Sequence, residues 1–581
     1  MIKALKFLKP YKYGVIFVFA MVAMRALLDL LLPRILGLLV NEGIGLGATT
    51  VDPNIPRIWE LTLMMLGATV LSIIITIISG YVESKISAGF ALDLRKAVYK
   101  KIESFSLREM DHFTTSSLIT RTTNDIQQLQ GIVNSLLRMI ILAPFLAIGA
   151  IFFSIQESPT LSTMLIASIV ALVIMIAIIF AITMPRFQLM QKLVDRLNLV
   201  TRENLSGLRV VRAYNTQEKQ AKRIDDASKE SMRLNIFVNR VMSLLWPIMG
   251  LIMGVTSLAI VYFGSNLIAQ NQLDPGSLMA LIQYSMRAIM AFMFLSFIFI
   301  MIPRASISAK RIMEVLEMEI DIKDPVNPAQ LPEAFKGEVT FEDVCFQYPD
   351  ANAPVLSHIN FTVKAGTTTA IIGSTGSGKS TLINLLPRFY ERTCGSIKID
   401  GIDIMDMTQE KLHSLMGYVP QKGILFSGTI KDNILFGNAE DDLELLDKAS
   451  EIAQAKEFID QLEKGYEHMI AQGGQNVSGG QRQRLSIARA IAKKPIIYIF
   501  DDSFSALDYK TDQKLRKILD ERVKATKLIV AQRINTIRYA DQIVVLDQGT
   551  MVGLGTHEEL LVSCPVYQEI ASSQLTKEEL Q

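Results

Sequence analysis

The distribution of apolar runs predicts two joined folds: a membrane all-α domain of six long transmembrane helices, followed by a cytosolic α/β domain built on a phosphate-binding loop. Three observations carry that expectation. Apolar stretches of bilayer length occupy 14–41, 59–82, 132–154, 160–184, 242–269 and 278–302, each near the ~20 residues that a hydrocarbon core requires. Their connections alternate between short ones nearly free of Lys and Arg and long basic ones. A complete G-x-x-x-x-G-K-[ST] run then stands at Gly373–Ser380, between a strand-like and a helix-like segment.

Composition agrees with a membrane portion. Half of the 581 residues are hydrophobic (50%) and mean hydropathy is +0.31, too apolar for a soluble chain and too long for one core. The net charge is only +2, with Lys and Arg dispersed, so no basic face for nucleic acid is expected. Cys345, Cys394 and Cys564 stand far apart without a C-x-x-C pairing, which predicts neither a zinc site nor a disulfide framework and fits a reducing cytoplasm.

The short connections, Asp52 to Arg57, Gln156 to Ser162 and Asn271 to Ser277, contrast with arms carrying Lys85, Arg95, Lys96, Lys100, Lys101, Arg186, Lys192, Arg196, Arg212, Lys219 and Lys222. The positive-inside rule puts both termini and the arms in the cytoplasm. Ahead of the first span, Lys3, Lys6, Lys9 and Lys12 make a short basic amphipathic segment, and the apolar run after them is too long for a cleaved signal. The arms mix polar and periodic apolar residues with few breakers, so they should continue as helix past the bilayer.

Within the spans, Arg25 and Asp29 stand at i, i+4, joined by Arg138, Gln283 and Arg287. A charge at that depth costs at least ~2.5 kcal/mol. Two readings stay open: a polar spot in a substrate cavity, or a structural Arg25–Asp29 pair with Arg287 snorkelling. The sixth span interleaves Met279, Met286, Met290, Met293 and Met301 with Phe292, Phe294, Phe297 and Phe299, either an adaptable apolar lining or ordinary helix packing.

A Pro-containing polar stretch marks the boundary, giving a membrane domain at 1–320, a linker at 321–336 and a soluble domain at 337–581. In the phosphate loop, Gly373, Ser374, Thr375, Gly376, Ser377 and Gly378 let backbone amides curl around phosphate oxygens. Lys379 supplies the cation and Ser380 a Mg²⁺ ligand, and Thr381 completes the expected nucleotide-binding set. An apolar run, Ile497 to Phe500, ends in Asp501 and Asp502 and resembles the Walker B element; that resemblance would put the first beside Mg²⁺ and the second facing the attacking water.

Val477-Ser478-Gly479-Gly480-Gln481-Arg482-Gln483-Arg484 resembles the LSGGQ signature of ABC proteins, with Val for Leu. With it the whole chain resembles an ABC exporter half-transporter. The resemblance implies that Tyr348 stacks on adenine, that Gln421 joins the Mg²⁺ site to the coupling helices, and that Ser505-Ala506-Leu507-Asp508 is the D-loop. It makes Ser380, Gln421 and Asp501 the metal-site residues and Ser478, Gly479, Gly480 and Gln481 contacts to ATP on an opposing subunit. Met110 to Ile126 and Glu203 to Asn215 resemble the coupling segments, the first with Ser116 where Gly is common.

Three positions depart from the family pattern. Asp502 stands where hydrolysis-competent members carry Glu, Gln532 where they carry His, and Gln472 where exporters usually show Glu. A carboxylate withdrawn by one methylene is misplaced by roughly 1 Å, which can cost ~100-fold in rate, and Gln cannot be protonated. The expectation is an ATP- and Mg²⁺-binding subunit with weak hydrolysis at its own site, the catalytic positions being Asp502 and Gln532. Its partner would be a second ABC half-transporter in the plasma or inner membrane, its cargo small amphipathic compounds or lipids. A homodimer using Asp502 as a slow base, an exporter-fold importer and a non-transporting regulator are the alternatives.

Overall fold

The computed structural model describes residues 1–45, 53–332, 334–349, 351–438 and 442–575. The side chains at 188, 296–300 and 303–304 lie outside that description, and with them Phe297 and Phe299; so does Asp52 of the first connection. The chain divides into two compact units, Met1–Ser104 with Thr114–Met318, and Phe105–Phe113 with Glu319–Gln581.

In the first unit, six helical stretches among the described residues are long and apolar enough to cross a membrane. The arms are continuous with the spans. Ile55–Glu103 is one helix of 49 residues, about 74 Å at 1.5 Å per residue, more than twice a hydrocarbon core. Pro159–Ser206 and Pro275–Glu317 run 48 and 43 residues. The turn between the third and fourth spans forms where Ser158 accepts from the Leu161 amide with Pro159 next to it, a cap and a proline that end one helix and begin the next.

Small residues allow the spans to pack. Ala26, Ala143, Ala147, Ala150, Ala280, Ala288 and Ala291 share a buried cluster with Leu30 and Tyr284, and the Tyr284 hydroxyl donates to the Leu30 carbonyl (3.2 Å). At Gly276 a Cβ would stand 2.0 Å from the Gly37 carbonyl oxygen. Only glycine lets the first and sixth spans come that close. Of the Met residues in the sixth span, Met279, Met286, Met290 and Met301 are exposed and Met293 is buried.

The predicted Arg25–Asp29 pair exists but is loose. Arg25 Nε stands 3.7 Å from Asp29 Oδ2 and, though buried, makes no hydrogen bond. The first predicted coupling segment is also divided. Leu107–His112 is a short helix assigned to the second unit, while Thr115–Thr120 and the π-helical turn Arg121–Asp125 belong to the first. The second coupling segment turns at Gly207 into the helix Leu208–Ala213, with Leu208, Val210 and Tyr214 exposed.

Among the described residues the second unit holds twelve strands: β1 Val339–Phe346, β2 Leu356–Val363, β3 Thr368–Gly373, β4 Cys394–Ile399, β5 Ile402–Asp403, β6 Met416–Val419, β7 Gly428–Thr429, β8 Met469–Ile470, β9 Ile497–Asp501, β10 Thr526–Val530, β11 Gln542–Asp547 and β12 Thr550–Gly555. A six-stranded sheet runs β12-β11-β3-β10-β9-β6, parallel except for the β12 edge. Every residue of β9 and β10 is buried, as expected of strands covered on both faces. An antiparallel sheet, β2-β1-β4-β5, stands beside it.

One expectation needs correction here. Cys345 and Cys394, read as unpaired, are cross-strand neighbours in the β1–β4 register and form a disulfide. Antiparallel pairing closes a separation of 49 residues that spacing alone does not reveal; Cys564 is free and buried. In the expected linker, 321–336, the described residues are irregular and anchored. Leu331 and Phe335 pack on the sheet core, and the Lys336, Gly337 and Glu338 amides donate to the Asp400 carboxylate. Phe105–Phe113 joins this unit through Arg108–Asp321 (2.7 Å), the Asp321 amide on Glu109 (3.2 Å), and Tyr390 donating to Asp111 (3.0 Å).

Candidate nucleotide site

β3 and β9 end on the same edge of the sheet with β10 between them, and open α/β sheets bind ligands at that carboxyl edge. β3 leads into the loop 374–378 and the helix Lys379–Leu385. Gly373 is required by space, since a Cβ there would meet the Leu546 carbonyl at 2.1 Å and Ser377 Oγ at 2.6 Å. Gly373→Ala is therefore expected to lower stability by about 1–3 kcal/mol, read as a fall in the thermal midpoint of the detergent-solubilised protein. Gly378 caps the helix at φ +94°, where a side chain would strain the backbone.

Lys379 is only 8% exposed. Its Nζ donates to the carbonyls of Gly373 (2.8 Å) and Ser374 (2.7 Å) and to Ser377 Oγ (3.4 Å). Burial holds its pKa below the usual lysine range, offset in part by Asp502 and Asp501. Ser380 Oγ donates to Asp501 Oδ1 at 2.9 Å, so the helix start and the end of β9 meet as a hydroxyl–carboxylate pair. Burial pushes Asp501 up, with Ser380 and Lys379 opposing. A hydroxyl and a carboxylate beside a lysine-bearing phosphate loop are hard oxygen donors of the kind Mg²⁺ takes.

Asp502 has a left-handed backbone, φ +46°, a conformation Asp tolerates better than most residues. Its amide is held by the Val530 carbonyl at 3.0 Å. Its Oδ2 accepts from two side-chain amides, Gln421 Nε2 (3.2 Å) and Gln532 Nε2 (3.1 Å). Burial raises the Asp502 pKa, while Gln421 and Ser505 hydrogen bonds, Arg533 and Lys379 lower it. Gln421 thus contacts Asp502, whereas the hydrogen-bond partner of Asp501 is Ser380.

A cavity of about 390 Å³ opens over the loop, lined by Thr375, Gly376, Gly378, Lys379, Ser380 and Thr381 with Val355, Gln421 and Gln532. Tyr348 reaches its edge, its hydroxyl hydrogen-bonded to Thr381 Oγ1 (3.2 Å) and its ring edge-on to Tyr390 (5.3 Å between centroids). No motif marks Tyr390 in the sequence. Its phenol is pushed up by burial and by its bond to Asp111, and only the tertiary fold brings it to both Tyr348 and Asp111.

Ser478, Gly479, Gly480 and Gln481 do not line this cavity. They begin the helix Gly479–Ala492, where Ser478 Oγ accepts from the Gln481 amide (3.2 Å) and Gln481 Oε1 from the Ser478 amide (2.9 Å), a reciprocal cap. Ser478 and Gly479 are exposed. Gln472, also exposed, lies in a short turn before them.

Known proteins share this organisation along the chain. Residues 15–312 match the family model of the ABC transporter transmembrane region, and residues 356–505 the ABC transporter model. An uncharacterized ABC transporter ATP-binding protein of Mycobacterium tuberculosis (strain ATCC 25618 / H37Rv) is 38% identical over 98% of this chain and 97% of its own. An ATP-dependent lipid A-core flippase of Vibrio vulnificus (strain CMCP6) is 29% identical over 97% and 96%. The solved structure of a bacterial Atm1-family ABC exporter with ATP bound superposes with a TM-score of 0.81 at 25% identity, covering 97% of this chain and 99% of that one.

Proposed function

Because the chain belongs to the ABC transporter family, as an exporter half-transporter with membrane and ATP-binding domains fused, we propose that it is the weakly hydrolysing subunit of a heterodimeric ATP-driven exporter. One observation carries the proposal: the Asp502 carboxylate is held between the amides of Gln421 and Gln532. A base beside the γ-phosphate must accept a proton and pass it on. Neither amide can exchange one, and the Asp carboxylate is a methylene short of Glu. The phosphate loop and Lys379 remain equipped to hold ATP.

Ser380 and Asp501, with Gln421, would hold Mg²⁺, which neutralises charge on the bound phosphates. Tyr348 would face adenine. The Ser478–Gln481 turn, with Ser478 and Gly479 exposed and away from the chain's own phosphate cavity, supports a role in completing a partner's ATP site, with the helix N-terminus directed at phosphate. The exposed apolar residues Leu208, Val210 and Tyr214 of the second coupling segment support contact with that partner. The basic arms favour cytoplasmic termini and a cytoplasmic ATP-binding domain. Small amphipathic compounds or lipids are the proposed cargo; the related ATP-dependent lipid A-core flippase is named for a lipid.

Steady-state ATPase of the purified chain alone in lipid nanodiscs tests the assignment. Turnover far below that of the chain co-purified with a Glu- and His-bearing ABC partner is expected. Brisk turnover by the chain alone would make it a homodimer with Asp502 as a competent base.

A further inference from the structure

A second polar site lies inside the membrane portion. A recess of about 160 Å³ is enclosed by Arg25 of the first span, Thr76, Ser79 and Glu83 of the second, and Asn134 and Arg138 of the third. Glu83 is 3% exposed and makes no hydrogen bond or ion pair among the described residues, although its side chain lines the recess. Arg25 Nε is buried without a hydrogen-bond partner, its attachment to Asp29 being loose at 3.7 Å. Asp29 in turn is engaged by the Ser72 hydroxyl (3.0 Å).

The third span departs from α-helical geometry here. Leu136–Ile140 is a π-helical turn, and Arg138 on it is exposed and lines the recess. Such turns re-aim a side chain at the cost of a regular hydrogen-bond ladder, and they gather at functional sites. A buried carboxylate without a hydrogen bond is costly. The recess therefore brings together two guanidiniums and one carboxylate that attract one another across it but are joined by no hydrogen bond.

We propose that this recess binds a small zwitterionic group, a phosphate monoester or diester joined to a primary ammonium. The phosphate would lie between Arg25 and Arg138, whose guanidiniums match its oxygens, and the ammonium would meet Glu83. An anion alone would stand against the Glu83 carboxylate, and a cation alone against the two arginines. The size limits the ligand as well. Drug-sized molecules fill pockets of roughly 300–1,000 Å³, so this one takes a head group and leaves any acyl chains outside. The source is either a phosphoethanolamine-type lipid or free phosphoethanolamine.

The inference builds on the proposed amphipathic cargo but is tested without ATP, so it stands or falls separately from the ATPase assignment. Binding of three soluble dihexanoyl lipids to the detergent-solubilised full chain is measured: phosphatidylethanolamine, phosphatidylglycerol and a trimethylammonium-propane cation. The phosphatidylethanolamine is expected to bind roughly ten- to a hundred-fold more tightly than the other two, the worth of one charged hydrogen bond. Glu83→Gln should lose that preference and bind phosphatidylglycerol more tightly than the native chain does, a gain that misfolding cannot produce. Arg138→Gln should weaken both. Competition by free O-phosphoethanolamine supports a soluble source, and binding of the lipid without such competition supports a lipid one. Equal affinities for the three lipids, or a lipid preference unchanged by Glu83→Gln, would overturn the proposal.

Discussion

With Asp502 replaced by Glu and Gln532 by His together, the steady-state ATPase rate of the chain is expected to rise by about 10²- to 10⁴-fold, the range supplied by one well-placed acid–base group. The physical basis is local. Asp502 stands just past the end of β9 with its amide pinned to β10 by the Val530 carbonyl at 3.0 Å, which holds the backbone back from making up the missing methylene. Gln532 occupies the carboxylate with a hydrogen bond at 3.1 Å. Glu restores reach, and His supplies a group that takes and gives a proton near neutral pH. Each single substitution should recover only part of the rate, since residues that act as one unit are strongly non-additive. A double variant no faster than the native chain, with ATP still bound, would refute the proposed cause of weak hydrolysis.

Lys379→Ala is expected to weaken ATP binding by roughly 30- to 5,000-fold, the equivalent of the 2–5 kcal/mol lost when one partner of a buried charged pair is removed. The lysine is 8% exposed and points back at its own loop, so it is a cation already desolvated and positioned for phosphate. Its loss also releases the carbonyls of Gly373 and Ser374. Titration with a fluorescent ATP analogue reads the change. Asp502→Glu provides the contrast, since it keeps the negative charge beside Lys379 and is expected to alter the rate while leaving that affinity nearly unchanged. Comparable losses in both variants would show that the two side chains do not divide the work between binding and hydrolysis.

The sequence alone was sufficient wherever local rules act. Six apolar stretches of bilayer length become six spanning helices because a chain in lipid must satisfy its own backbone, and lysine-bearing arms with few breakers stay helical beyond them. The phosphate loop was equally legible, because glycines at fixed spacing between an apolar strand and a helix admit few other structures. The Asp502 and Gln532 departures were visible as substitutions; their shared hydrogen bond was not, since 30 residues and a change of strand separate them. Sheet order decides that meeting. Sheet register likewise joins Cys345 to Cys394, and the packing of Phe105–Phe113 gives Asp111 its bond to Tyr390. Glu83 shows the limit most clearly. In the sequence it is one charge at the end of an apolar run, and only the packing of three spans, with a π-helical turn in the third, sets it near Arg25 and Arg138 in one recess. Periodicity and motif spacing report what neighbouring residues do to each other, whereas long-range contacts depend on how whole elements fill space.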